Sequence, residues 1–170
     1  MKLASRIAQL FDGRDRATFE EFFDAYLGRP TVEARERLFQ AYFASGERTL
    51  LHAKACREQF LVDSADNFMA HELFVQGGSQ FERLDEALQL VARDGRRPPA
   101  ERTLIDIGAN IGVICIPAVA RGLCRAAVAV EPSPQVCRLL RANIALNGLE
   151  NRIAVHEMAL SDSDGAAELE

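Results

Sequence analysis

Residues 103–132 read TLIDIGANIGVICIPAVARGLCRAAVAVEP, and the fold follows from how this stretch is parsed. A short apolar run, Leu104 to Ile107 with Asp106 inside it, ends at Gly108 and gives way to Asn110 and Gly112. A mostly apolar helical stretch follows, and a second apolar run, Ala126 to Val130, stops at Glu131 with Pro132 next. Strand, glycine turn, helix, strand, acid is the order of a nucleotide-binding βαβ unit.

Downstream, Pro132-Ser133-Pro134 suits a helix N-terminus with proline in the first turn. Val136, Leu139, Leu140, Ile144 and Leu146 mark its apolar side, and Asn147-Gly148 ends it. Arg152 to His156 reads as a third strand, Ser161 to Gly165 as a turn, and Ala166 to Leu169 as the start of a fourth strand. The alternation predicts a partial Rossmann-like, doubly wound parallel sheet of the α/β class. Pro117 lies five residues past Gly112, so the first crossover helix is expected to start late or to kink.

Upstream, residues 1–62 are expected to form a helical N-terminal extension. Asp15 or Thr18 could cap a helix carrying Phe19, Phe22, Phe23 and Tyr26. A second helix is expected from Thr31 to Gly46, with Leu38, Phe39, Tyr42 and Phe43 as its packing stripe, and a third from Thr49 to Phe60. Asp66 to Val75 reads equally as helix or strand, broken by Gly77-Gly78. Phe81, Leu84, Leu88 and Val91 then mark an amphipathic helix ending near Gly95, and Arg96 to Pro99 forms a polar linker.

Composition narrows the function classes. The chain has 170 residues, 48% hydrophobic and 26% charged, which are globular values. The net charge of −5, without a basic block, argues against a nucleic-acid partner. No apolar run reaches the ~20 residues a membrane helix needs, and the N-terminus is not a signal peptide, so a cytoplasmic protein with no membrane partner is expected. Cys56, Cys115, Cys124 and Cys137 have no metal-ligand spacing, nor do His52, His71 and His156, so buried thiols are expected and no metal.

Spacing also limits what the turn can bind. A P-loop needs a lysine that is absent here, and a dinucleotide turn needs a middle glycine between Gly108 and Gly112 where Asn110 stands. A carboxylate at Asp106 would repel a pyrophosphate and suits a cationic ligand such as adenosylmethionine. Glu131, 19 residues beyond Gly112, stands where an acid can accept both ribose hydroxyls. The alternative for the two glycines is a tight turn with close strand–helix packing and no ligand.

DIGANIG at 106–112, AVEPSP at 129–134, NIALNGLENRI at 143–153 and ALSDSDG at 159–165 together resemble successive signatures of FkbM-type methyltransferases. That is a class I family dependent on S-adenosyl-L-methionine. The resemblance covers about residues 66–170, so 63–170 is expected to be the N-terminal half of a methyltransferase domain. It implies that Asp106 holds the methionine end of the cofactor, through its ammonium or by ordering the turn. Gly108, Ala109 and Asn110 would wall the methionine moiety, Glu131 would bind the ribose diol, and Pro132 would lie beside the adenine. Met158 to Leu160, centred on Ala159, would meet the adenine edge.

The implied reaction is O-methylation of a small-molecule or glycan hydroxyl. The resemblance identifies no catalytic base, because the family's acceptor pocket is built from later strands. A chain with three or four of seven strands is expected to be the first part of a longer enzyme, inactive alone. The first strand's open edge would favour self-association. A non-catalytic helical interaction module on a degenerate nucleotide fold is the alternative from another class.

Overall fold

The computed structural model describes residues 31–166, apart from positions 47, 56, 79–83, 85 and 88–100. Helix α1 spans Val32–Ser45 and starts where the sequence places a cap: the Thr31 hydroxyl accepts from the Ala34 amide at 3.2 Å. Gly46, at φ +68°, closes it. Phe39 is fully buried and Leu38 and Tyr42 partly so, which accounts for the packing stripe, while Phe43 remains 43% exposed. His71 packs edge-on against Phe39, and its Nε2 lies 2.6 Å from Glu36.

The third helix expected over Thr49 to Phe60 does not exist. That segment is an antiparallel hairpin, β1 (Leu50–Ala55) and β2 (Glu58–Asp63), with Ala53 opposite Phe60. Burial alternates along both strands: Leu51, Ala53 and Ala55 point inward from β1, and Glu58, Phe60 and Val62 from β2. The alternation has period two, which a helix cannot bury.

The ambiguous segment after Asp66 is helical. Asp66 Oδ1 accepts from the Phe68 and Met69 amides, at 3.1 and 2.9 Å. Helix α2, Met69–His71, then continues as a π-helical turn over Glu72–Gln76 that ends at Gly77 in the left-handed region. Of the amphipathic helix expected after Phe81, Leu84, Glu86 and Ala87 are helical. The rest of that helix, the helix expected near Phe19 to Tyr26, the linker at Arg96 to Pro99 and the body of the expected fourth strand lie outside the described residues.

The second sheet is the parallel, Rossmann-like part, one half of a doubly wound arrangement. Strands β3 (Thr103–Ile107), β4 (Ala126–Val130) and β5 (Ile153–His156) pair in parallel in the order β3-β4-β5. Helix α3 (Cys115–Ala120) and helix α4 (Pro134–Leu146) form the crossovers. Successive crossovers to neighbouring strands in one direction put both helices on one face of the sheet. That face carries Leu104, Ala127, Ala129, Ile153 and Val155, all buried or partly buried in the core. On the opposite face Ile105 and Ile107 of the edge strand are 65% and 63% exposed. Helix α3 begins only at Cys115, so Pro117 falls within its first turn, where no amide is required. Helix α4 begins at Pro134, capped by the Ser133 hydroxyl on the Val136 amide.

Candidate functional site: a glycine turn between two acids

The turn from Gly108 to Gly112 joins β3 to α3, and its backbone is folded back onto the end of β4. The Gly108 and Ala109 amides both donate to the Val130 carbonyl, at 2.9 and 3.0 Å. The Asn110 amide donates to Glu131 Oε2 at 3.0 Å. Asn110 accordingly sits in the left-handed region at φ +49°, a conformation that asparagine tolerates better than most side chains. Three consecutive amides are thus committed to β4 and to Glu131. A pyrophosphate needs free amides aimed outward, and here those of Gly108, Ala109 and Asn110 face inward.

The two glycines do different work. Gly112 has φ +95°, and a Cβ on it would meet Ile116 Cδ1 at 2.6 Å and Leu140 Cδ1 at 2.8 Å. Close packing of the turn against α3 and α4 accounts for this glycine without a ligand. Among the described residues, nothing lies within 4 Å of a Cβ built on Gly108, at φ +75°. Its bare face opens onto space that a ligand can enter.

Glu131 is 8% exposed, with both carboxylate oxygens engaged. Oε2 takes the Asn110 amide, and Oε1 takes the Ser133 amide at 2.9 Å. The carboxylate is therefore fixed in place, and each oxygen keeps a further lone pair for an incoming hydroxyl. The fully buried Cys137 thiol donates to the Glu131 carbonyl at 3.1 Å, tying the same residue to α4.

Asp106 projects from β3 on the helix-covered face, and its Oδ2 accepts from the Cys115 amide at 3.1 Å. Burial pushes this carboxyl above the ordinary aspartate range, and the Cys115 bond partly pulls it back. Burial, helped by the Asp106 charge, pushes the Cys115 thiol far up, so that thiol is no nucleophile. Asp106 thus ties the end of β3 to the first residue of α3. Pro132 is half-buried after Glu131, and Met158, Ala159 and Leu160 are exposed beyond β5, Met158 by 49% and Leu160 by 56%.

The structure brings Gly108, Ala109, Asn110 and Glu131 into one hydrogen-bonded unit, and Asp106 braces it from below. Pro132 follows directly in the chain, while Ala159 stands on the separate loop after β5.

Two features of the surroundings lie beyond the residues that the sequence motifs point to. Asn143 of α4 and Asn147 at its C-terminal cap hydrogen-bond to β2 of the hairpin, and Asn143 also reaches the turn. Asn110 and Ile111 line a cleft of about 420 Å³ between β2 and the first turns of α4, beside Asp66, Met69 and Arg138. The Arg48–Asp63 ion pair, at 2.6 Å, stands at its rim. The asparagine spacing of four was visible as a helix face, but its partner strand was not, because that segment reads as helix.

Among the described residues no group of three or more His, Cys, Asp or Glu side chains could hold a metal, and no helix is long and apolar enough to cross a membrane. Cys115, Cys124 and Cys137 are buried free thiols.

No family model and no curated protein matches the chain. Solved structures do. P. horikoshii TYW2 in complex with MeSAdo is similar at 19% identity and a TM-score of 0.50, over 81% of this chain and 53% of that one. M. jannaschii tRNA m1G37 methyltransferase is similar at 23% identity and a TM-score of 0.45, over 66% and 30%. An O-methyltransferase from Bacillus cereus in complex with SAH follows at 20% and 0.36, over 79% and 47%. The fold is a partial Rossmann-like methyltransferase fold. At these identities the likeness concerns the fold alone, and the chain spans about half or less of the length of these structures.

Proposed function

We propose that the chain is the cofactor-binding part of an S-adenosyl-L-methionine-dependent methyltransferase of the FkbM type, acting on a hydroxyl of a small molecule or glycan. The observation that carries this reading is the Glu131 carboxylate, fixed by the Asn110 and Ser133 amides beside the open face of Gly108. An anchored acid next to bare backbone suits a ribose diol and an adjoining uncharged or cationic group. It suits a phosphate poorly, because the acid repels it and the amides of Gly108, Ala109 and Asn110 are spent. Two of the similar structures hold MeSAdo and SAH, compounds of the same chemical type.

Glu131 accepts from the ribose hydroxyls. Gly108, Ala109 and Asn110 lie along the methionine moiety, presenting Cα atoms and carbonyls. Asp106 acts by fixing the start of α3 under the turn, and its charge favours the cationic end of the ligand. Pro132 and Ala159 flank the adenine. When bound, the cofactor supplies an electrophilic sulfonium methyl. The work of these residues is alignment of that methyl for in-line attack, which can account for a large share of the rate.

The cofactor half is proposed to cover 63–170. The hairpin, whose last residue is Asp63, is fastened to that half from outside by Asn143, Asn147 and the Glu58–Arg121 pair.

Calorimetric titration with S-adenosylhomocysteine tests the reading on this chain and on Asp106→Ala and Glu131→Ala. Binding by the parent chain, weakened at least about tenfold in Glu131→Ala, is expected from the loss of two hydroxyl contacts to a charged group. Equal affinity in all three proteins would sink the assignment.

A further inference from the structure

Asn143 is fully buried in α4, and none of the proposed ligand contacts involves it. Its amide group nevertheless makes three hydrogen bonds, one of them to the turn. Oδ1 accepts from the Leu61 amide at 2.7 Å, and Nδ2 donates to the Leu61 carbonyl at 3.2 Å and to the Ile111 carbonyl at 3.1 Å. One side chain therefore joins three elements: helix α4, the outer edge of β2, and the glycine turn at the residue after Asn110.

Asn147, one helical turn on, provides a built-in comparison. Its Oδ1 accepts from the Gln59 amide at 3.0 Å, and its Nδ2 donates to the Gln59 carbonyl at 2.7 Å. Four helical residues rise about 6 Å and two strand residues about 6.6 Å, so the pair matches alternate residues of β2 and completes the hydrogen bonding of that edge. The difference between them is the Nδ2 hydrogen of Asn143 that continues to the Ile111 carbonyl, whereas that of Asn147 goes to the Asn143 carbonyl of its own helix at 2.8 Å.

Resting on the function proposed above, we infer that Asn143 is a positioning residue for the cofactor turn. It holds the Ile111 peptide, and through it Asn110 and the Asn110–Glu131 hydrogen bond, in the ligand-ready arrangement, and it couples that arrangement to the hairpin. A side chain that only stapled the hairpin would have no reason to touch the turn. Conversely, the left-handed backbone of Asn110 lies outside the region most side chains prefer and persists only where its surroundings over-determine it. The Ile111 carbonyl is the adjoining point at which such a constraint is applied.

The test compares Asn143→Ala, Asn143→Ser and Asn147→Ala in the full chain. Amide hydrogen exchange at positions 108–112 is read together with affinity for S-adenosylhomocysteine. Both asparagines lose their bonds to the hairpin in these variants, so both are expected to lower the melting temperature. Only the Asn143 variants are expected to expose the Gly108, Ala109, Asn110 and Gly112 amides to faster exchange, and only they are expected to lose about tenfold in affinity, the equivalent of one buried hydrogen bond. The serine variant, with a smaller cavity, serves should alanine fail to fold. Equal acceleration at the turn in the Asn143 and Asn147 variants, or none in either, overturns the inference. Absence of binding by the parent chain would instead remove the proposed function, and exchange at the turn would still decide the role of Asn143.

Discussion

At the scale of single residues, the two glycines of the turn separate packing from binding. Gly112→Ala adds a Cβ at φ +95° into Ile116 and Leu140, which combines left-handed strain with overpacking. A loss of about 2–5 kcal/mol is expected, measured by urea denaturation. Gly108→Ala meets only the backbone strain of φ +75°, about 1–2 kcal/mol, because no atom of the described residues stands within 4 Å. Its larger effect is expected on affinity for S-adenosylhomocysteine, since the added methyl enters the open face. A Gly108→Ala protein that binds as well as the parent would show that this face is not used.

Asp106 has a stability cost of its own. Its folded-state value lies above the unfolded one because burial disfavours the charge. The group therefore favours the fold fully below its unfolded value and loses that contribution as pH rises through the folded one. Asp106→Asn retains an acceptor for the Cys115 amide and removes the charge. Its melting temperature is expected to match the parent in acid and to exceed it progressively from about pH 4 upward, toward neutral pH. The same variant is expected to bind the cofactor more weakly. A variant less stable than the parent at neutral pH would contradict this account of Asp106.

At the scale of elements, the hairpin is where the structure departs from the helix its sequence suggests. Its strands contain Ala53, Lys54, Ala55, Glu58 and Gln59, residues with good helical propensity, and the connection at Cys56-Arg57 contains no Gly, Asn or Asp to announce a tight turn. The period-two burial of Leu51, Ala53 and Ala55, and of Phe60 and Val62, was present in the letters but weak, since alanines carry little apolar signal. Helices α1 and α4 were legible because each has a hydroxyl cap at its start and an asparagine or glycine at its end. The β3-turn-α3-β4 unit was legible because strand apolarity, left-handed positions and the terminal acid occur in a fixed order. What the letters did not reveal is which of the two glycines is filled by packing, and that the NIALN segment clasps a distant strand.

The hairpin is also joined to α3. Glu58 is 3% exposed and takes both Nε and Nη2 of Arg121, at 2.9 and 2.7 Å. Burial alone would raise the Glu58 carboxyl, but the Arg121 hydrogen bonds and charge leave it below the usual glutamate value. A lowered folded value means that the pair's contribution is present above about pH 4.3 and is lost as pH falls through the folded value. Arg121→Ala leaves a buried carboxylate without its guanidinium, and a loss of about 3–5 kcal/mol at neutral pH is expected by chemical denaturation. The double variant Arg121→Ala/Glu58→Gln should recover much of that loss and flatten the acid dependence.

At the scale of the whole molecule, three parallel strands with their helices on one face hold a rigid turn at the carboxyl ends of β3 and β4. In open α/β sheets, ligands bind outside the carboxyl ends of the strands. The hairpin packs along α3 and α4: Asn143 ties it to the turn at that end, while Asn147 and the Glu58–Arg121 bridge fasten it at the C-terminal ends of the two helices. The central claim is that the braced turn takes an adenosyl ligand along Gly108 to Asn110 and Glu131. An amide-resolved NMR titration with S-adenosylhomocysteine tests it most directly. The account predicts saturable shifts concentrated at Gly108, Ala109, Asn110, Glu131 and Ala159, with the hairpin amides of β1 nearly still. No saturable shift, or shifts that gather away from the β3–α3 turn, would contradict it.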